Sequence, residues 1–197
     1  MLEGELDADP LRQFARWFEE AVAAGVRFPE TMTLATAAAD GRPSARMVLL
    51  KGADARGFAF YTNRDSRKGR ELAENPRAAL VLYWQALGRQ VRVEGAVEQV
   101  GFDESAAYWA TRPRTSRISA WASPQSEPVP SRDDLQEAAA EIDRDFAGED
   151  VPLPPHWGGY RVVPETIELW EHRDDRLHDR VLYTRAGDGW HMERLAP

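Results

Sequence analysis

The sequence of 197 residues contains no cysteine, only two lysines and only four histidines. The absence of cysteine excludes disulfide bonds, thiolate metal ligands and cysteine nucleophiles. The histidines form no His-x-x-x-His pair, so the residues indicate no metal site. No window approaches eighteen uninterrupted apolar residues, and the acidic first ten residues do not resemble a secretion signal. We therefore expect a cytoplasmic protein that is neither secreted nor inserted in a membrane.

The standard nucleotide-binding and hydrolase signatures are also missing. The sequence has no Gly-x-Gly-x-x-Gly opening a helix, no Gly-x4-Gly-Lys-Ser/Thr and no Gly-x-Ser-x-Gly. A Rossmann domain, a P-loop and a serine hydrolase elbow are thereby excluded. A net charge of −8 without a basic tail also argues against a general nucleic-acid binder, so a small molecule is the expected partner.

Both lysines, Lys51 and Lys68, fall between residues 40 and 70, where eight basic and three acidic residues give a local charge of +5. The rest of the chain then carries −13, so the positive charge is concentrated in this segment. Concentrated positive charge in an acidic protein is typical of an anion-binding site. We expect the anion to be a phosphate.

The pattern of apolar residues and turns predicts one mainly β domain over residues 1–197 with peripheral helices. Asp9-Pro10 indicates the start of a first helix at about 10–24, and helical insertions are expected at about 102–120 and 131–147. The predicted strands are 31–36, 45–51, 58–62, 78–84, 90–100, 160–163, 166–170, 181–184 and 190–195. So many short antiparallel strands favour a closed or split β-barrel, because closure removes exposed sheet edges.

A first cationic group combines Arg46 and Lys51, on opposite faces of a predicted strand, with the segment Ser66-Arg67-Lys68. Taken alone, the two strand residues fit solvated strand ends. The second segment adds a hydroxyl, two cations and a helix start close to Tyr61 and Thr62. This combination suits a phosphate monoester, which gains from amide donors, the helix dipole and charge-assisted hydrogen bonds.

Two further groups of cationic residues have a spacing that fits an anion-binding site. Tyr108 and Arg112 align at i, i+4 on a predicted helix, and the next turn brings in Ser116, which together could hold a second phosphate. A surface arginine on a helix face explains the same spacing. Arg176, His178 and Arg180 would share one side of an extended strand and serve chemistry on an anionic ring, whereas a charged loop is the alternative.

Aromatic and amide side chains offer less specific signals. Trp84, Trp121, Trp157 and Trp170 could wall a planar heterocycle, although aromatic residues in a barrel commonly form its core. Gln90 and the pair Gln125-Ser126 could bond a polar ring edge or a phosphate, and they also fit ordinary strand and loop positions.

Linked motifs over residues 11–197 resemble the pyridoxamine 5′-phosphate oxidase family. The motifs are Arg46-Met-Val-Leu-Leu-Lys51, Phe60-Tyr-Thr-Asn63, Ser66-Arg-Lys68, Arg89-Gln-Val-Arg92 with Glu94-Gly95, Arg112-Pro-Arg114, Ala120-Trp-Ala-Ser-Pro-Gln-Ser126, Trp157-Gly-Gly-Tyr160 and Arg176-Leu-His-Asp-Arg180. The resemblance implies an FMN-binding split β-barrel that works as a homodimer. It also implies that each flavin lies at the subunit interface and contacts both chains.

Carried over position by position, the resemblance implies specific roles. The implied FMN contacts are Arg46, Met47, Val48, Leu49, Leu50, Lys51, Tyr61, Thr62, Arg67, Lys68, Gln90, Gln125, Ser126, Trp170 and Arg180. The implied substrate contacts are Lys51, Tyr108, Arg112, Ser116, Arg176, Leu177 and His178. Arg176 and His178 are the implied catalytic residues, acting through orientation and electrostatics beside the reacting carbon.

The implied reaction is oxidation of pyridoxine or pyridoxamine 5′-phosphate to pyridoxal 5′-phosphate, with dioxygen reduced to hydrogen peroxide and ammonia released from the amine. Two alternatives remain: a related flavin oxidase acting on another ring, such as a phenazine precursor, and a flavin or pyridoxal-phosphate binding protein with little turnover. Measured turnover separates an enzyme from a binding protein.

The sequence departs from the family pattern at two positions and in its N-terminal region. Where the family commonly reads Ser-Gln-Ile-Gly-Ala-Trp, this chain has Arg117 and Ser119 in the segment Ser116-Arg-Ile-Ser-Ala-Trp121. Both substitutions are expected to alter substrate preference. The family often has a longer N-terminal segment that closes over the substrate, so we also expect closure to differ here.

Overall fold

The computed structural model describes residues 3–197, in which five α-helices surround one antiparallel β-sheet. The helices are α1 (Pro10–Ala23), α2 (Arg67–Glu74), α3 (Phe102–Thr111), α4 (Arg114–Ala122) and α5 (Arg132–Asp145). The strands are β1 (Thr31–Ala37), β2 (Pro43–Leu49), β3 (Gly52–Asp54), β4 (Gly57–Asn63), β5 (Arg77–Trp84), β6 (Arg89–Gln99), β7 (Trp157–Glu171), β8 (Asp179–Ala186) and β9 (Gly189–Arg194). The mainly β class with peripheral helices is thus confirmed.

The sheet curls because its longest strand, β7, pairs with two different strands along the same edge. The main path runs β2-β1-β5-β6-β7-β4-β3, and β8 also pairs with β7 and then with β9. β4 pairs with the first half of β7 and β8 with its second half, while β6 follows β7 along nearly its whole length. This branched pairing produces a curled, split barrel, as the sequence predicts.

The predicted break between two strands at residues 164–165 is wrong, because β7 continues through Pro164. The pairing register of β6 shifts between Glu94 and Gly95, and Pro164 stands opposite Gly95. Proline is tolerated within a sheet at such a bulge because the missing N–H removes no regular ladder bond there. A Cβ at Gly95 would lie 2.0 Å from the carbonyl oxygen of Val163, so the close approach requires glycine.

Helix starts follow the side chains that the sequence offers for capping. Asp9 directly precedes Pro10, and its carboxylate accepts a hydrogen bond from the backbone N–H of Leu11. This is the start of α1 that the sequence predicts. Ser66 and Ser131 cap α2 and α5 in the same way. The α4 helix begins directly after Pro113, and it brings the predicted turn at Ser116 onto a helix.

The main core lies between the sheet and α1. Phe14, Trp17 and Ala21 of α1 are buried against sheet residues that include Phe58 and Trp84. Burying each large apolar side chain contributes roughly 1.5–3 kcal/mol, so α1 is anchored by its apolar face. No helix within residues 3–197 has the length and apolar character needed to cross a membrane.

A second, smaller core joins α3, α4 and α5 to the start of β7. Its buried members are Trp109, Ile118, Val151 and Trp157. The indole N–H of Trp109 donates to the backbone carbonyl of Val151 at 2.9 Å, which satisfies a polar group in the buried cluster. This core holds the helices beside the open face of β2 and β4, where the candidate site lies.

Candidate active site

A cavity of about 580 Å³ opens between β2, the end of β4 and the α3–α4 pair, and we refer to it as the cleft. Its walls contain most of the residues of the first two cationic groups. The residues that line it are Arg46, Met47, Val48, Leu49, Lys51, Tyr61, Thr62, Asn63, Lys68, Tyr108, Arg112, Thr115, Ser116, Ser119, Ala120, Ser123, Gln125 and Trp157. The fold therefore brings together residues that are separated by more than a hundred positions in the chain.

Lys68 places a buried positive charge in the cleft. Its ammonium donates to the side-chain oxygens of Thr62, Ser66 and Gln125 at 3.1, 3.2 and 2.7 Å. None of these oxygens belongs to a carboxylate. Burial, with a smaller contribution from Arg46, lowers the pKa of Lys68 to about 8. Glu71 opposes this shift only in part, so an anion bound beside Lys68 would add the negative charge that its direct contacts lack.

Arg46 and Arg67 lie next to Lys68, and both contact the buried carboxylate of Glu71. The distances from Glu71 are 3.1 Å to Arg46 and 2.8 Å to Arg67. Arg46 lines the cleft, whereas Arg67 is more exposed at the start of α2. We refer to Arg46, Arg67 and Lys68 as the cationic cradle.

The second cationic group lies on the same cleft, formed by Lys51, Tyr108, Arg112 and Ser116. Arg112 follows the last residue of α3, and its guanidinium donates to the backbone carbonyl of Ser116 at 2.9 Å. One terminal nitrogen of Arg112 is buried and has no hydrogen-bond partner among the described residues. Burial lowers the pKa of this guanidinium. A buried donor without a partner is costly, which indicates a place for an acceptor such as phosphate.

Aromatic rings fix Arg112 and form one wall of the cleft. The guanidinium lies 4.9 Å from the ring centroid of Trp109 and 4.7 Å from that of Trp157. Tyr61 stacks on Tyr108 with centroids 4.1 Å apart, and on Trp157 at 5.5 Å. The two indoles contact each other edge to face with centroids 4.9 Å apart, so they pack against the guanidinium from neighbouring directions and restrict its orientation.

Gln90, Trp170, His178 and Arg180 form a separate group at the end of β6, β7 and β8, which we call the sheet-end cluster. Gln90 pairs with Trp170 across β6 and β7, and Trp170 pairs with Arg180 across β7 and β8. The ring of His178 lies 4.7 Å from that of Trp170. None of the four lines the cleft. One chain therefore carries two separate groups of predicted site residues.

Of the two alternatives for Arg176, His178 and Arg180, the extended strand is wrong for the first two, because β8 begins only at Asp179, and the charged loop holds for them. Arg176 and Leu177 lie in the loop 172–178 and are exposed, and the backbone of Arg176 is left-handed with φ 67°. The Nδ1 atom of His178 accepts from the backbone N–H of Arg173 at 3.1 Å. This bond leaves the proton of a neutral His178 ring on Nε2.

Most of the remaining predicted residues do not line the cleft. Leu50 is buried in the main core, and Ser126 follows Gln125 in a left-handed conformation with φ 75°. Of the four tryptophans proposed as ring walls, Trp157 alone lines the cleft among the described residues. Trp84 belongs to the main core, Trp121 packs on Phe146, and Trp170 belongs to the sheet-end cluster.

The structure separates the two substitutions at the family's Ser-Gln-Ile-Gly-Ala-Trp segment. Arg117 does not line the cleft and pairs with Asp150 at 2.6 Å. Ser119 does line the cleft, and its hydroxyl donates to the backbone carbonyl of Thr115 at 2.9 Å. Thr115 and Ser123 also line the cleft and were not predicted. Their spacing of four residues from Ser119, which places side chains on one face of a helix, is the sequence signal for this polar wall.

Two family models match this chain over most of its length. One, described as pyridoxamine 5′-phosphate oxidase, matches residues 18–144. The other, described as the pyridoxine 5′-phosphate oxidase C-terminal dimerisation region, matches residues 157–197. The chain belongs to the pyridoxamine 5′-phosphate oxidase family. This membership confirms the class of FMN-dependent oxidases and the FMN cofactor that the resemblance implied, and the second match supports a homodimer.

Curated relatives extend the family match to the whole chain. A pyridoxine/pyridoxamine 5′-phosphate oxidase from Rubrobacter xylanophilus is 59% identical over 197 residues, covering 100% of this chain and 91% of that relative. A relative of the same name from Cupriavidus taiwanensis is 57% identical and covers 99% of this chain and 92% of its own length.

Solved structures share the fold. PhzG from Burkholderia lata 383, in complex with tetrahydrophenazine-1-carboxylic acid, is 35% identical with a TM-score of 0.94, covering 100% of this chain and 98% of that chain. A pyridoxamine 5′-phosphate oxidase-related, FMN-binding protein from Nostoc punctiforme has a TM-score of 0.77 at 18% identity, covering 98% of this chain and 100% of that chain. The second similarity shows the split-barrel fold alone.

Proposed function

We propose that this protein oxidises pyridoxine 5′-phosphate and pyridoxamine 5′-phosphate to pyridoxal 5′-phosphate, with dioxygen as the electron acceptor. The alcohol loses two hydrogens and dioxygen gains them as hydrogen peroxide. The amine loses two hydrogens in the same way, and water then replaces the nitrogen, which leaves as ammonia. The names of the curated relatives support this substrate class.

The observation that carries the proposal is the presence of two cationic groups along one cleft. The cationic cradle occupies the part beside α2, and Lys51 with Arg112 lines the part beside α3 and α4. A phosphorylated flavin and a phosphorylated substrate together require two anion sites. A single anionic ligand would leave one of these groups without a counter-charge.

The residues of the cradle fit the phosphate of FMN. Lys68 is buried among neutral oxygens, and Arg67 and Lys68 open the N-terminal turn of α2, where backbone N–H groups favour an anion. We assign Thr62, Gln125 and Ser126 to the same phosphate and ribityl region, and Met47, Val48, Leu49, the backbone of Leu50 and Tyr61 to the flavin ring. When bound, FMN supplies the two-electron acceptor that none of these side chains provides.

The substrate phosphate is assigned to Lys51, Tyr108, Arg112 and Ser116. The two rings that stack on Arg112 hold its guanidinium in place before any ligand binds, which lowers the entropy lost on binding. Its buried, unpartnered nitrogen is the donor that gains most from a phosphate oxygen.

The sheet-end cluster and the loop 172–178 complete the site from the second subunit in this proposal. The match to a dimerisation region covers residues 157–197, which include Trp170, Arg176, Leu177, His178 and Arg180. Exposed apolar side chains accompany both groups: Met47 and Leu49 line the cleft, and Leu177 is 68% exposed on the loop. Association of two chains would cover these apolar surfaces and add the sheet-end residues, with Gln90, Trp170 and Arg180 at the flavin.

Arg176 and His178 are assigned to the reacting side of the substrate ring. Arg176 is a fixed cation that stabilises negative charge on the ring or its hydroxyl. His178 presents Nε2–H because Arg173 occupies its Nδ1, so its neutral ring donates a hydrogen bond from that atom. Both residues orient the exocyclic carbon, which is the main contribution that a protein makes beside a redox cofactor.

The proposal is tested by loading the protein with FMN, removing oxygen, and adding pyridoxine 5′-phosphate while the visible flavin absorption is followed. Bleaching, then recovery in air with pyridoxal 5′-phosphate and peroxide formed in equal amounts, is expected. Unphosphorylated pyridoxine at the same concentration is the control and should bleach the flavin far more slowly. A bound flavin that neither B6 phosphate reduces would contradict the proposal and indicate a binding protein.

The similarity to PhzG favours a tricyclic carboxylic acid as the second candidate substrate. The cleft distinguishes the two classes by charge. Lys51 and Arg112 supply two positive charges, which balance a phosphate dianion better than a single carboxylate. Reduced phenazine carboxylic acids belong in the same anaerobic assay, and faster flavin bleaching by them than by the B6 phosphates would favour the second candidate.

A further inference from the structure

Glu71 is a buried carboxylate directly behind the cationic cradle, and it does not line the cleft. Its side chain is only 6% exposed and is surrounded by donors from three elements. Thr36 from β1 and Ser44 from β2 donate to Oε2, Ser44 at 2.6 Å. Arg46 from β2 donates to the same oxygen at 3.1 Å, and Arg67 from α2 donates to Oε1 at 2.8 Å.

These contacts determine which donors of the two arginines remain available. Arg46 uses both terminal nitrogens on the backbone carbonyl of Leu34 and on Thr36, Ser44 and Glu71. Its Nε is left without a partner among the described residues. Arg67 is held through Nε alone, so both of its terminal nitrogens stay free in the described chain, on a side chain that is 55% exposed.

The charges of this group match those of a phosphate monoester. Arg46, Arg67 and Lys68 carry three positive charges, and the carboxylate of Glu71 neutralises one of them. Burial by itself raises the pKa of Glu71, but the hydrogen bonds from Ser44, Thr36, Arg67 and Arg46 outweigh this effect and lower the pKa to about 2. The remaining charge of +2 balances the charge of −2 on a phosphate dianion.

We propose that Glu71 is a positioning residue for the cofactor phosphate: its carboxylate holds Arg46 and Arg67 apart and oriented, so that their free N–H groups face the phosphate. This inference rests on the proposed assignment of the cradle to FMN. Without the carboxylate, three neighbouring cations repel one another in the empty protein. The two arginines also lose the shared acceptor that fixes their directions.

The test compares binding of FMN and of riboflavin, which lacks the phosphate, to full-length apoprotein, with the quenching of flavin fluorescence as the readout. The variant is Glu71→Gln, which keeps the shape of the side chain and removes its charge. We expect the Kd of FMN to rise about tenfold, because charge-assisted contacts that orient both arginines are lost, and the Kd of riboflavin to stay unchanged.

The matched control is Glu165→Gln, which breaks the ion pair with Arg77 at an exposed position outside the cleft. It should leave both Kd values unchanged. A Glu71→Gln protein with the wild-type FMN Kd would overturn the inference. Equal losses for FMN and riboflavin would overturn it as well, because they would show general damage to the site.

Two further measurements allow the inference to be tested even if the first variant fails. If Glu71→Gln does not fold, Ser44→Ala removes one donor to the carboxylate without leaving a buried charge unpaired, and a loss of about threefold for FMN alone is expected. No loss with that variant would overturn the inference. If the wild-type protein binds FMN and riboflavin equally, the assignment of the cradle to the cofactor phosphate is itself wrong, which separates failure of the proposed function from failure of Glu71.

Discussion

The cleft and the loop 172–178 carry the same kinds of side chain but differ in how the single chain holds them. In the cleft, Lys68 is buried with three hydrogen-bond partners and Arg112 packs against two indoles. In the loop, Arg176 and Leu177 are exposed, and Arg176 has a left-handed backbone. One chain alone therefore orients the residues proposed to bind anions, while the residues proposed for the reacting carbon remain on the surface. Substitutions in the cleft should affect binding, and those in the loop should affect turnover.

The largest effect is expected for Arg112→Ala in the cleft. Losing a buried, stacked donor to the substrate phosphate should lower kcat/KM for pyridoxine 5′-phosphate about 100-fold, mainly by raising KM. Bound flavin should remain, because Arg112 is not part of the cradle. Steady-state kinetics and the flavin absorbance of the purified protein measure both quantities, with Arg56→Ala, an exposed and ion-paired arginine, as the control. Unchanged KM would remove Arg112 from the substrate site.

The next effect concerns Lys68 and depends on pH. Burial lowers its pKa to about 8, so the empty protein loses this charge above pH 8, earlier than an ordinary lysine would. A bound phosphate favours the protonated form, and FMN affinity should therefore fall about fivefold from pH 8 to pH 9. Lys68→Met should weaken binding about 20-fold at pH 7 and abolish the fall above pH 8. The Kd of FMN, measured for both proteins between pH 7 and pH 9, tests this prediction. If the variant shows the same pH dependence as the wild type, Lys68 is not its cause.

In the loop, Arg176→Gly separates stability from turnover. The φ of 67° at Arg176 is costly for a side chain but not for glycine, so the free energy of unfolding should rise by about 0.5–1 kcal/mol. At the same time kcat should fall about tenfold, because the cation beside the substrate ring is lost. Chemical denaturation and steady-state kinetics provide the two numbers. A stable variant with full kcat would remove Arg176 from the catalytic group.

The smallest effects are expected at the two departures from the family pattern. Ser119→Gly removes a hydroxyl from the cleft wall and should change KM about twofold. Arg117→Gln should change KM by less than about twofold, because Arg117 does not line the cleft and its charge acts there by adding to the effect of burial, which lowers the pKa of Arg112. The KM values for both B6 phosphates test this pair. A larger change in KM for Arg117→Gln than for Ser119→Gly would show that its charge acts on the bound substrate.

Local chemistry made the sequence informative about much of this structure. Three helix starts were predictable from Asp9, Ser66 and Ser131. Their side chains accept hydrogen bonds from backbone N–H groups that have no partner within the helix. The first two cationic groups were predicted from spacing, and the fold brings them to one cleft. These features depend on contacts over a few residues or on the alternation of a strand.

Other features depended on partners distant in the chain and were missed. Pro164 indicates a strand end, but the bulge beside Gly95 on β6 accommodates it within β7. Glu71 reads as an ordinary surface residue of a helix, and it is buried only because β1 and β2 pack against α2. The loop at Arg176 alternates like a strand in sequence, yet its left-handed residue prevents extension. None of these partners can be identified from local spacing.

The central claim is that the cleft of one chain and the loop 172–178 of another form one site, and mixed dimers test it most directly. One chain carries Lys51→Ala with Arg112→Ala, and a differently tagged chain carries Arg176→Ala with His178→Ala. Each variant should be inactive as a homodimer. After co-expression and selection for both tags, a shared site leaves one wild-type site in every mixed dimer, so about half of the wild-type activity toward pyridoxine 5′-phosphate is predicted. Mixed dimers as inactive as both parents would show that each chain builds its site alone and would contradict the account.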